Sequence, residues 1–170
     1  MNIYGYCRIS TAKQSIDRQI RNIKAEYPTA HIVQEAYTGT SIFRPEWLKL
    51  YRVLKAGDTV VFDSVSRMSR NAEEGFTLYE DLYHKGIRLV FLKEHHIDTE
   101  TYKKALSGSI AMTGTNVDFI LKGINEYLMA LAKEQIKLAF EQSEKEVADL
   151  HQRTREGLLT ARLNGKQVGR

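Results

Sequence analysis

One cysteine, Cys7, in 170 residues rules out an internal disulfide framework and fits a reducing compartment. It sits in an apolar run and reads as a small packed hydrophobe rather than a reactive thiol. No apolar run reaches the roughly 18 residues of a membrane span. The N-terminus lacks a basic-then-apolar leader pattern, so the expectation is a cytoplasmic protein with no membrane partner. There is no glycine-rich loop followed by Lys-Ser/Thr, and no G-x-S-x-G elbow. His95 and His96 are adjacent and would face opposite ways on a strand, and Glu94 adds little, so no metal is expected. Proline is absent from Asn116 to the end. No repeat or low-complexity segment appears. The net charge of +4 and pI near 9.1 permit a nucleic-acid partner without demanding one.

The first hundred residues alternate between two patterns. Ile3 to Cys7, His31 to Ala36, Asp58 to Val65 and Ile87 to Leu92 are short apolar runs of strand length. Between them, Ser15 to Tyr27 carries Ile16, Ile20, Ile23 and Tyr27 at helical spacing and ends before Pro28. Pro45 suits the first turn of a helix bearing Trp47, Leu48, Tyr51 and Leu54 that stops near Gly57. A third helix runs from about Ala72 to Lys85 and stops at Gly86. Strands without a polar face, alternating with helices, predict an α/β fold with a mainly parallel sheet covered on both sides.

Beyond residue 110 the pattern is helical. Val117, Ile120, Leu121, Ile124, Leu128 and Leu131 form a stripe, and Ile136, Leu138 and Phe140 extend it. The stripe is not a clean heptad. Gly157 and Gly165 are weak points. At about 1.5 Å per residue such a helix must project beyond a small domain. It is either a long core helix with a frayed end or an oligomerisation helix whose last turns become basic to meet DNA. The expected division is 1–110 for the α/β domain, 111–163 for the helical segment and 164–170 for the start of an arm.

The chemistry concentrates at two places. Alternate side chains share a strand face, so Tyr6 and Arg8 point the same way, with Ser10 on or near that face where the strand ends. Arg67 and Arg70 follow the third strand, three residues apart, and would share a face if a helix begins there. Arg44 closes a small polar loop, Thr38 to Ser41, expected to be mobile. Taken singly, Ser10 could cap the next helix, and each arginine could be solvated surface. Together they place a hydroxyl nucleophile among forked cations at the C-terminal edge of a sheet, where α/β proteins hold ligands.

These residues resemble the serine recombinases of the resolvase and invertase family. Tyr6-Cys7-Arg8-Ile9-Ser10 is similar to its Y-x-R-x-S motif, and the likeness continues through Gln19. Thr38 to Arg44 resembles its mobile loop ending in a site arginine. Ser66-Arg67-Met68-Ser69-Arg70 resembles D-R-L-x-R, with Ser66 where the family has Asp. Glu94 to Thr99 resembles the stretch after the fourth strand, and Gln152 to Gly157 a segment of the long helix. The resemblance implies that Ser10 attacks a DNA phosphate, forms a 5′-phosphoseryl bond and releases a 3′-hydroxyl, with no cofactor. Arg8, Arg44, Arg67 and Arg70 would hold the phosphate, Gln14 and Gln19 would orient it or Ser10, and Tyr6 and Ser66 would support them. It also implies double-stranded DNA as partner, met by Arg153, Arg155, Arg162, Lys166 and Arg170. Homodimers would pair into a tetramer through the long helix. Asn164 to Arg170 resembles the arm leading to a helix-turn-helix domain, which is absent from the sequence. Two rival readings are a non-catalytic DNA-binding or assembly protein that keeps the fold, and a phosphate-ligand module unrelated to DNA.

Overall fold

In the computed structural model, residues 1–9, 16–36, 44–107 and 110–164 are described. Four strands, β1 (Ile3–Ile9), β2 (His31–Ala36), β3 (Thr59–Phe62) and β4 (Arg88–Phe91), form one all-parallel sheet in the order β2-β1-β3-β4. The helices are α1 (Asp17–Glu26), α2 (Pro45–Val53), α3 (Val65–Met68), α4 (Ala72–His84), α5 (Thr99–Ser107) and α6 (Asp118–Leu163).

Side-chain alternation splits the core into two layers. Tyr6, Val60, Phe62, Leu89 and Phe91 face a large cluster completed by Trp47, Leu50, Tyr79, Leu82, Ile136 and Phe140. Cys7, Val61 and Val90 face the other way, onto Ile23 and Ala30. Both faces are thus covered, which is why the strands read as continuous apolar runs. Gly86 ends α4 at φ +74°, a left-handed position that suits glycine.

Three expectations need correction. The third strand ends at Phe62, not Val65. Asp63 and Ser64 break it, and Val65 is buried as the first residue of the one-turn helix α3. Arg70 lies beyond α3, so Arg67 and Arg70 do not share a helix face. The first helix starts at Asp17, with Ile16 at its N-cap and no side chain capping it.

Helix α6 runs for 46 residues and passes through Gly157 without a break. At about 1.5 Å per residue it is roughly 70 Å long. Its middle is fixed to the domain. Ile136, Ala139 and Phe140 are buried, and Phe140 lies so close to Gly75 that a Cβ there would fall 2.4 Å from the ring. Lys133 pairs with Glu80 at 2.9 Å, and Glu144 Oε2 accepts the Ala72 N–H at 3.1 Å. The first turns, by contrast, expose Phe119, Ile120 and Tyr127, and the residues from 148 to 160 are exposed throughout. Among the described residues no helix is long and apolar enough to cross a membrane.

Candidate functional site: an arginine crevice at the sheet edge

The chain runs from β1 outward to β2, then returns past β1 to β3. That reversal makes the C-terminal ends of β1 and β3 a topological switch point, the place where parallel sheets offer a crevice to ligands. Arg8 comes from β1 and Arg67 from α3, just after β3. Arg44, the N-cap residue of α2, reaches in from the neighbouring connection.

The arginines rest on backbone carbonyls. Arg8 Nη2 donates to Ser66 O at 3.1 Å, and Arg67 Nη1 donates to Arg8 O at 3.3 Å. Arg44 Nη1 donates to Arg67 O at 3.3 Å and also to Met68 O. Arg8 and Arg44 are almost fully buried, whereas Arg67 and Arg70 are partly exposed. A guanidinium has five N–H donors, so these bonds leave donors over. Arg44 Nε and Nη2 and Arg67 Nε are buried without a partner.

Charge is the unusual feature. Among the described residues, no carboxylate pairs with Arg8, Arg44 or Arg67 within 4.0 Å. Burial, and after it the charges of Arg44, Arg70 and Arg67, push the Arg8 guanidinium down to about 9. Burial also lowers Arg67, with Asp63 offsetting part of the effect, and lowers Arg70, with Arg44 adding to the shift. Buried cations normally require a paired anion. A crevice with several guanidiniums and spare donors suits a tetrahedral oxyanion.

The supporting side chains were not singled out from the sequence. Glu35, next to last in β2, is buried and accepts the N–H groups of Glu46 and Trp47 at 2.9 and 3.1 Å. It thereby caps α2 and sets Arg44 at the sheet edge. Asp63 is fully buried, bonds Asn22 Nδ2 at 2.8 Å, and lies 3.4 Å from Lys93 and 3.8 Å from Arg18. The only sequence signal for either is a carboxylate inside or just after an apolar strand.

Several expected site residues have definite places. Both ends of the Gln19 amide are engaged by the backbone of Arg8: its Nε2 donates to Arg8 O at 3.0 Å, and its Oε1 accepts the Arg8 N–H at 3.1 Å. Gln19, expected to orient Ser10 or the phosphate, holds the end of β1, the strand that Ser10 follows in sequence. The Ser66 hydroxyl pairs with the Ser64 hydroxyl at 2.8 Å. Tyr6 shares the Arg8 face of β1, and its buried hydroxyl lies against the Arg44 guanidinium without forming a well-aligned hydrogen bond. Burial raises that phenol to about 12, against the opposing pull of Arg44, so it stays protonated. Arg153, Arg155 and Arg162 are exposed on α6, and Arg153 lines a groove with Ser66 and Arg67. Ser10, Gln14, the loop Thr38 to Ser41, Lys166 and Arg170 lie outside the described residues.

A family model described as Resolvase, N terminal domain matches residues 3–136. The chain belongs to this family, the resolvase family of serine recombinases. A resolvase of Clostridium perfringens (strain 13 / Type A) is 28% identical over 170 residues, covering 99% of this chain and 76% of that protein. The transposon Tn21 resolvase of Escherichia coli is 27% identical over 159 residues, covering 90% and 83%. Among solved structures, a resolvase family site-specific recombinase from Streptococcus pneumoniae is similar with a TM-score of 0.46 and 20% identity, over 94% of this chain and 97% of that one. A serine recombinase from Sulfolobus solfataricus gives 0.47 and 19%, over 75% and 97%.

A buried hydroxyl without a partner lowers stability by about 1–3 kcal/mol relative to its absence. Tyr6→Phe is therefore expected to keep or raise the melting temperature in oxyanion-free buffer. Thermal denaturation checks this, and a loss above about 1 kcal/mol would mean that the hydroxyl has a structural partner.

Proposed function

We propose that this chain is the catalytic domain of a site-specific DNA recombinase that cleaves and rejoins strands through Ser10. The observation that carries the reading is the cluster of guanidiniums at the end of the strand that Ser10 directly follows in sequence, in which Arg8, Arg44 and Arg67 pair with no carboxylate among the described residues. Ser10 Oγ attacks phosphorus and becomes a 5′-phosphoseryl ester. The bond to the 3′-oxygen breaks, and that oxygen leaves as a hydroxyl carrying the proton that Ser10 gives up. The reverse attack by a 3′-hydroxyl reseals the strand and frees Ser10. The phosphodiester energy is kept in the ester, so the cycle calls for no ATP, and in this reading no metal.

Arg8, Arg44, Arg67 and Arg70 bind the phosphate and stabilise the charge that builds on its oxygens in transfer. Gln19 positions Arg8 through its backbone, and Gln14 is assigned to orienting Ser10. The N-terminal 110 residues act as the catalytic unit. The double-stranded DNA partner lies along the projecting half of α6, where Arg153, Arg155 and Arg162 meet backbone phosphates.

Removing the nucleophile tests the chemistry. With a randomised pool of nicked duplexes, wild-type protein is expected to form covalent adducts that resist denaturation, and Ser10→Ala none, at an unchanged melting temperature. Adducts trapped equally by Ser10→Ala would refute the assignment. Their absence from both proteins would favour the non-catalytic DNA-binding reading.

The exposed apolar residues at the start of α6 suit a second copy of the chain, giving dimers that pair into a tetramer. Sedimentation at high protein concentration with duplex present is expected to show dimers or larger species. Monomers alone would contradict this role.

A further inference from the structure

Helix α3 is only four residues long, yet two of the site arginines rest on it. Its carbonyls at Ser66, Arg67 and Met68 accept from Arg8 and Arg44. A single turn fixes several dihedral angles for very few hydrogen bonds, so it does not hold its shape unaided. Its internal ties are Arg67 N–H to Ser64 O at 2.9 Å and Ser69 N–H to Val65 O at 3.2 Å. Its N-cap residue Ser64 makes no side-chain capping bond. Instead, the leading amide, Val65 N–H, donates to Glu94 Oε2 at 3.1 Å.

Glu94 comes from the turn after β4, 29 residues downstream. It shares a polar cleft with Ser64, Ser66 and Arg67, and Lys93, His96 and Asp63 are the other charged or titratable groups that act on it. Ser66 cannot supply a carboxylate to this cleft, and its hydroxyl is already paired with Ser64. We propose that Glu94 is a positioning residue of the arginine site: by holding the first turn of α3 it fixes the carbonyls on which Arg8 and Arg44 rest. The consequence for cleavage rests on the recombinase reading above, whereas the consequence for arginine geometry does not. Loss of the Glu94 acceptor frays α3, and the crowded guanidiniums then drift from the arrangement that receives a phosphate.

The test compares Glu94→Ala, which removes the acceptor, with Glu94→Gln, which keeps a carbonyl oxygen and removes the charge. One readout is the side-chain Nε–Hε resonances of Arg8 and Arg44 by NMR without DNA. The other is the single-turnover rate of adduct formation at Ser10 on the nicked pool, measured beside duplex affinity. Glu94→Ala is expected to move both resonances. It should also slow adduct formation by about 10–100-fold, the scale on which small misplacements act, with duplex affinity within about threefold of wild type. Glu94→Gln should restore both readouts. If Glu94→Ala unfolds, Glu94→Asp, one methylene shorter, takes its place with the same expectations. Unmoved resonances in the acceptor-deficient variant, or a Glu94→Gln protein as impaired as that variant, would overturn the proposal. Moved resonances in a protein whose wild type makes no adduct would leave the positioning role standing and remove the recombinase reading.

Discussion

The site is organised around the repulsion of like charges at the end of a buried strand. Arg8, Arg44, Arg67 and Arg70 gather where β1 and β3 end, and burial and mutual charge push Arg8 down. At an effective dielectric near 20, two unit charges 4 Å apart repel by about 4 kcal/mol. Among the described residues, the fold offsets that at Arg8, Arg44 and Arg67 with neutral acceptors in direct contact, and the acid acting on Arg67, Asp63, is not paired with it. Backbone carbonyls of β1 and α3 take N–H groups of Arg8, Arg44 and Arg67, and leave Arg44 Nε and Nη2 and Arg67 Nε unused. A paired carboxylate would quench the field that a phosphate needs. Carbonyls hold the same guanidiniums in place and leave most of it intact.

The holding groups are spread over the chain. Gln19 on α1 grips Arg8 through its backbone, Glu35 near the end of β2 sets α2 and hence Arg44, and Glu94 after β4 holds α3. Each is a side chain bonded to a backbone amide or carbonyl of another element. The α/β layers bring them to one edge, because every strand of a parallel sheet ends on the same side. Helix α6 joins this arrangement at Phe140 against Gly75 and Glu144 at Ala72, just beyond Arg70. Its two ends then extend free of the domain.

Much of the fold could be read from the sequence. The range His31 to Ala36 matches β2 residue for residue, and Pro45 opens α2. The run from Asp58 to Val65 misled because its apolar residues belong to two elements. Val60 to Phe62 are strand, and Val65 is a helical residue packed in the same core, a case that periodicity alone does not separate. Gly157 reads as a weak point, yet the helix runs through it, since a single glycine costs only about 1 kcal/mol relative to Ala in a 46-residue helix. Arg8, Arg44 and Arg67, which the structure brings together, stood out because arginines at strand ends and at a loop end resemble a family's motifs. Glu35 and Glu94 did not, because a carboxylate that caps an amide elsewhere in the chain leaves no periodic trace.

The central claim is that the crevice is a preformed seat for one phosphate group. A crystal soaked in tungstate, an oxyanion of phosphate shape, tests it most directly. The account predicts one anion held by guanidinium nitrogens of Arg8, Arg44, Arg67 and Arg70, with α3 unmoved. An empty crevice with tungstate bound elsewhere, or a protein carboxylate seated among the arginines, would contradict it.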